Sequence, residues 1–211
     1  MSAKVYVKDR KFVTSGESSY KILARNGMYL YKENPVFRAC VKLGAVSWEN
    51  SDFGNRLLDQ EESFELKIPK IPSKIVEQWL VFGRMIKLRY DSETLILLYY
   101  SPSTGEFKNE VPEQEVSPGS VRSTECTPAP EGSYLVGSIH THPGEAFHSK
   151  TDQDDESVSD GVHFTIGDLR KVLASFSIFG VVNGRRFPLD PEGVIETAEI
   201  PEEWNKRIHR V

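Results

Sequence analysis

Over the first sixty positions apolar residues alternate with polar ones in short runs: Lys4-Val5-Tyr6-Val7, Tyr20-Lys21-Ile22-Leu23-Ala24 and Met28-Tyr29-Leu30-Tyr31. Alternation at period two is the mark of a half-buried strand. Asn26-Gly27 separates the last two runs and predicts a hairpin, because tight hairpin turns need residues that accept positive φ. A small β-rich segment over residues 1–62 follows, ending at the acidic Asp59-Gln60-Glu61-Glu62. Beyond it the period changes. Ile75, Val76, Trp79, Leu80 and Ile86 fall on one helical face, with Ser73 after Pro72 as a candidate cap. Residues 94–100 then read as an apolar strand, and Tyr134 to Ile139 as a buried one. Leu169 to Leu173 reads as a helix, Phe176 to Val182 as a core strand, and Asn183-Gly184 as a turn leading to Arg186-Phe187. This order predicts an α/β sheet with a helix on each side across residues 63–190. Ser117 to Gly132 predicts a loop at the rim of a site, and residues 191–211 a tail with a short helix from Glu202 to Ile208. No internal repeat or low-complexity segment is present.

The predicted strand from Tyr134 runs into Gly137-Ser138-Ile139-His140-Thr141-His142-Pro143, followed by Ser149-Lys150-Thr151-Asp152. In an extended segment side chains at i and i+2 share a side, so His140 and His142 can converge on one ion while Thr141 faces away. Two imidazole nitrogens and one Asp oxygen make three protein ligands. The fourth tetrahedral position is then left for water, the open arrangement of hydrolytic zinc sites. A structural zinc is the plainer alternative, but structural sites usually close with cysteines, and none lies near this pair.

These residues resemble the JAMM signature of JAB/MPN metalloproteases: H-[S/T]-H-P, a spacer, then S-x-x-D, with a distant upstream Glu. Ala146 to Asp152, Asp155-Glu156, His163 and Gly167, together with Val111 to Ser117, are similar to the bacterial JAB branch typified by PRTRC system protein A. The resemblance covers residues 65 to 190. It implies a JAB/MPN, cytidine-deaminase-like mixed sheet flanked by helices, with the N-terminal β-rich segment as an appendage. It further implies one zinc ion per chain held by His140, His142 and Asp152, a catalytic Glu, and Ser149 as the hydroxyl that helps hold the tetrahedral oxyanion. In the family that Glu lies between the first helix and the next strand, where Glu93 stands; Glu106 and Glu110 compete for the role. Asp168, in Thr165-Ile166-Gly167-Asp168, competes with Asp152, although a helix cap at the start of Leu169 to Leu173 explains Thr165 and Asp168 equally well. The implied activity is hydrolysis of a peptide or isopeptide bond, with the glycine-ended tail of a ubiquitin-like protein as substrate and conjugation proteins as partners. A JAB/MPN scaffold that binds a partner without catalysis, or a general zinc peptidase, are the other readings.

Other chemistries fare worse. No G-x-S-x-G elbow, C-x-x-C, Walker loop or G-x-G-x-x-G occurs in the chain. Cys40 sits in the mixed run Phe37 to Val41 and reads as a small buried hydrophobe, while Cys126 has no partner signal. The run Asp152-Gln153-Asp154-Asp155-Glu156 reads as a solvated acidic loop around one ligand, with Asp155 and Glu156 free to cap or pair with neighbours. His148 and His163 read as loop histidines or as partners to a ligand. The net charge of −5 and scattered basic residues argue against nucleic-acid binding. Two cysteines cannot form a disulfide framework, the polar N-terminus lacks a signal peptide's apolar core, and the longest apolar run is too short to span a bilayer. A soluble cytoplasmic protein is expected.

Overall fold

The computed structural model describes residues 4–48, 51–124, 128–142, 144–171 and 173–197. Cys126, Pro143 and the helix expected from Glu202 to Ile208 lie outside them. The chain begins with β1 (Val5–Val7), β2 (Ser19–Ala24), β3 (Gly27–Glu33), β4 (Phe37–Gly44) and β5 (Ser63–Leu66), which form one sheet in that order. The Asn26-Gly27 turn joins β2 to β3 in an antiparallel pair. This sheet runs past the acidic stretch at 59–62, because β5 pairs with β4.

Next come α1 (Ser73–Tyr90), β6 (Thr94–Ser101), β7 (Glu106–Glu110), β8 (Gln114–Ser117), β9 (Ser120–Ser123), β10 (Tyr134–Thr141), α2 (Lys150–Ser157), β11 (Gly161–Gly167), β12 (Ser175–Val182), β13 (Arg185–Pro188) and α3 (Pro191–Val194). Six of these strands make a mixed sheet, ordered β13-β12-β11-β10-β6-β7, and β8-β9 form a separate hairpin. β10 and β11 are parallel, with α2 as their crossover. One face of the sheet carries Ile96, Leu98, Ile139, Phe164 and Ile166, packed with Trp79 of α1. The alternate residues of the same strands face α2, so the helices flank opposite faces. Gly83 lets α1 approach closely: a Cβ there would lie 2.8 Å from Thr141 Cγ2.

The main core extends into the first sheet, taking in Leu30, Val36, Phe37 and Val41. The rings of Phe37, Phe64 and Phe187 stack at 5.4 and 5.8 Å between the two sheets. A second cluster, Tyr20, Ile22, Tyr29 and Cys40, packs the other side of the first sheet. Burial there pushes the Cys40 thiol up to about 11. Among the described residues no helix is long and apolar enough to cross a membrane.

Three local expectations are corrected, and one unassigned stretch is filled. The acidic run is not a loop but α2, opened by a capping box in which Ser149 and Asp152 bond each other's backbone. No helix forms among the described residues from Leu169 to Leu173. Asp168 takes a left-handed φ of 59°, which starts a turn, and Arg84 of α1 donates to the carbonyls of Leu169 and Lys171 in place of helical bonds. Ser73 is the first helical residue of α1, and the cap position is Pro72, with no side-chain cap bond. Residues 161–167, unassigned from the sequence, form the central strand β11, buried along its whole length.

Candidate metal centre

The antiparallel pairing of β10 with β6 sets His140 opposite Leu95 and Thr141 opposite Thr94. Continuing that register by one residue brings Glu93, just before β6, beside His142, just after β10. The junction is pinned where Thr94 N–H donates to Thr141 Oγ1 at 3.0 Å, and His142 N–H to the Ile166 carbonyl at 2.8 Å. Asp152 arrives from the other side, on the first turn of α2. Its Oδ2 lies 3.3 Å from His142 Nε2 and its Oδ1 3.8 Å from His140 Nδ1. Ser149 N–H donates to Asp152 Oδ2 at 2.7 Å, fixing the carboxylate. Phe147 packs edge-on against the His142 ring with centroids 5.0 Å apart.

Glu93, His140, His142, Ser149 and Asp152 thus line one cleft of about 270 Å³, roofed by Gly119, Ser120 and Val121 of the β8-β9 hairpin. The hairpin stands on Gln114, whose side-chain amide bonds both the N–H and the carbonyl of Leu95. The Glu93 backbone N–H donates to the Ser117 carbonyl at 3.4 Å. The rival residues stand elsewhere. Asp168 is bonded to Lys171 and Ser175, Glu110 pairs with Lys108, and Glu106 lines a different surface beside the start of α1.

The carboxyl groups of the cleft are pulled apart electrostatically. Burial raises the pKa of Glu93, the Asp152 charge adds to this, and His142 opposes both. Burial would raise Asp152 as well, but hydrogen bonds from His142 and Ser149 outweigh it and hold the group well below the usual range. His142 is lowered by burial and raised more strongly by Asp152 and Glu93, for a net upward shift. Burial lowers His140, whose Nδ1 has no hydrogen-bond partner among the described residues. Two imidazoles and a carboxylate are donors of the kind zinc takes. Among the described residues, however, no three His, Cys, Asp or Glu side chains are gathered closely enough to hold an ion as they stand.

A buried network holds α2 in place. Glu156, four residues after Asp152 and on the same helical face, accepts from His148 Nδ1 at 2.6 Å and from Arg186 Nη1 of β13. His148 Nε2 faces the Ser177 carbonyl at 3.1 Å, and the Arg186 guanidinium lies 4.3 Å over the Phe179 ring. In the sequence Glu156 reads only as a loop carboxylate free to cap or pair with neighbours. Arg186 carries no local signal, since it arrives by tertiary folding alone. Nothing in the sequence singled out Ser138 or Thr151 either, whereas the hairpin tip falls within residues 117–132, expected at the rim of the site and found as the β8-β9 hairpin with its tip over the cleft.

No protein-family model matches this chain, and no curated protein does. Among solved structures the chain is similar to a JAB1/MPN domain protein from Archaeoglobus fulgidus, at 19% sequence identity and a TM-score of 0.38. The match covers 61% of this chain and 100% of that one.

Proposed function

We propose that the chain is a zinc-dependent hydrolase of the JAB/MPN type, cleaving a peptide or isopeptide bond. The carrying observation is the convergence of His140, His142 and Asp152 with the buried Glu93 across one cleft. The donors fit zinc in kind, and the buried, unpartnered Nδ1 of His140 is a polar atom that a folded interior rarely leaves without a partner. His140, His142 and Asp152 would hold the ion, which supplies Lewis acidity at the bond to be cut and acidifies water. Glu93 takes a proton and returns it to the leaving amine, a task suited by a carboxyl whose pKa burial raises above the ordinary carboxylate value. Ser149, which lines the cleft beside Asp152, would offer its hydroxyl to the developing oxyanion.

The substrate this reading favours is the extended, glycine-ended tail of a ubiquitin-like protein, a class carried by the motif resemblance and by a narrow cleft running beside a strand. A second reading, a partner-binding scaffold without catalysis, is favoured by the direct His142 to Asp152 contact, which engages a would-be ligand with its neighbour. Elemental analysis separates the two. One zinc per chain is expected for the wild type, lost in His142→Ala and in Asp152→Ala and kept in Asp168→Ala; zinc-free wild type after reconstitution favours the scaffold. Incubation with ubiquitin-like fusions, read by mass spectrometry beside a chelator control, then tests the substrate class. Cleavage of unrelated short peptides but of no fusion would point to a general peptidase.

A further inference from the structure

The cleft around Glu93 opens into a second one of about 540 Å³, sharing Ser120, Val121, His140, Thr151 and Asp155 with it. Ser138 and His163 lie on the floor of this second cleft, between α2 and the hairpin. Ser138 is two residues before His140 on β10, and the two side chains share the face that looks toward α2. His163, on the neighbouring β11, is buried.

The hydrogen bonds of this pair fix the direction of each proton. His163 Nε2 lies 2.9 Å from the Ser159 carbonyl, which can only accept, so Nε2 carries the ring proton. Burial lowers the pKa of His163 and keeps the ring neutral with that single proton. Nδ1 therefore offers a lone pair, and Ser138 Oγ, at 2.8 Å, must donate to it. The only proton of the hydroxyl is thereby turned inward. What remains toward the cleft is a pair of lone pairs, in a cleft lined by Leu95, Leu97, Val121 and Leu135 and, beside them, by Arg122, Thr151 and Asp155.

We propose that Ser138 is a specificity-determining residue, an acceptor-only hydroxyl that selects ligands presenting a backbone N–H about two residues from the atoms held near His140. The assignment rests on the peptide-hydrolase reading above. Two residues of extended chain span about 7 Å, so a peptide lying along β10 brings one amide to Ser138 while the bond to be cut stands at His140. A carbonyl placed there would meet lone pair with lone pair and gain no hydrogen bond from Ser138, and would be disfavoured. His163 and Ser159 act only through Ser138, as positioning residues that keep its proton occupied.

The test is an ester scan. Fluorescein-labelled octapeptides ending in Gly-Gly, each with one backbone N–H replaced by an ester oxygen, are titrated by anisotropy against Glu93→Gln protein, which binds without cutting. One ester position should weaken binding about 3- to 10-fold, the size of one net hydrogen bond. In Glu93→Gln/Ser138→Ala that same ester should cost under about twofold, and Ser138→Thr, which keeps the hydroxyl, should restore the penalty. Equal ester losses with and without the hydroxyl, at every position, overturn the assignment while leaving the peptide-hydrolase reading standing. Absence of binding by the all-amide peptide overturns the peptide substrate class, and the role of Ser138 with it.

Discussion

Glu93 and Asp152 face the same imidazole, yet their surroundings drive them in opposite directions. Asp152 receives hydrogen bonds from His142 and Ser149 and stays ionised, whereas Glu93 is buried and holds its proton to higher pH. Paired carboxyls separated in this way divide into a fixed anion and a proton carrier. On that basis Glu93→Gln should bind zinc like the wild type and lose about 100-fold in turnover, as general acid and base groups do. Zinc analysis beside steady-state rates checks it, and near-normal turnover would reassign the role to another carboxylate. Local spacing made the histidine pair and Asp152 legible, because i, i+2 on a strand and a capping box are short-range geometry. Glu93 was legible only through the order of its elements. The pairing of Ser138 with His163 was not, since it depends on two strands that meet by a crossover.

α2 is a short, highly charged helix whose own propensity is poor, so its stability must come from its ends and its buried face. One end is the capping box at Ser149, and the buried face is Glu156 locked to His148 and Arg186. Removing one partner of such a buried pair typically costs about 3–5 kcal/mol. Glu156→Gln should therefore destabilise the protein by roughly that amount and speed amide exchange across 150–157, read by hydrogen-exchange mass spectrometry; unchanged exchange would remove the network as the anchor of α2. The pH dependence follows from the same residue. Burial pushes the carboxyl of Glu156 up, but its bonds to His148 and Arg186 prevail and its pKa falls below 4.5. Its stabilisation is complete above about 4.5 and is lost as pH falls through the lower folded value. Melting temperatures should consequently drop more steeply in acid for the wild type than for Glu156→Gln. The sequence misled at this scale because five polar residues in a row look like a loop, while the amphipathic Leu169 to Leu173 looks helical. Tertiary partners reversed both: the buried His148 and the partly buried Arg186 engage Glu156, and Arg84 satisfies the carbonyls of Leu169 and Lys171.

The two sheets share one interior. Ion pairs from Lys32 to Asp160 and from Arg185 to Glu62, each at 2.6 Å, cross between them. Partly exposed pairs of this kind contribute about 0–1 kcal/mol each, so the stacked Phe37, Phe64 and Phe187 must provide most of the hold. Phe64 also fits where a Cβ on Gly180 would lie only 2.5 Å from its ring. A fragment beginning at residue 67 should accordingly lose cooperative melting, followed by circular dichroism; a sharp transition in that fragment would show that the later residues fold by themselves. The acidic stretch at 59–62 resembled a linker because its charges hid their partners: Glu62 accepts from the Lys42 N–H and from Arg185.

The crossover from β10 through α2 to β11 places the candidate centre at the carboxyl ends of two parallel strands, where open α/β sheets gather their ligands. The frame that aims His140, His142 and Glu93 is made of backbone bonds and buried apolar contacts. The rim that a ligand first meets is made of the hairpin tip at Pro118-Gly119 and the loop from Gly144 to His148. Only the second of these needs to change for the chain to accept a different tail. Gly167 marks the boundary between the two, since a Cβ there would strike the loop backbone at Ala146 N, 2.2 Å away. Substitution at the hairpin tip is thus the cheap route to altered preference, and lengthening the loop next to Gly167 the costly one, an asymmetry that directed evolution of this chain would meet in its first round.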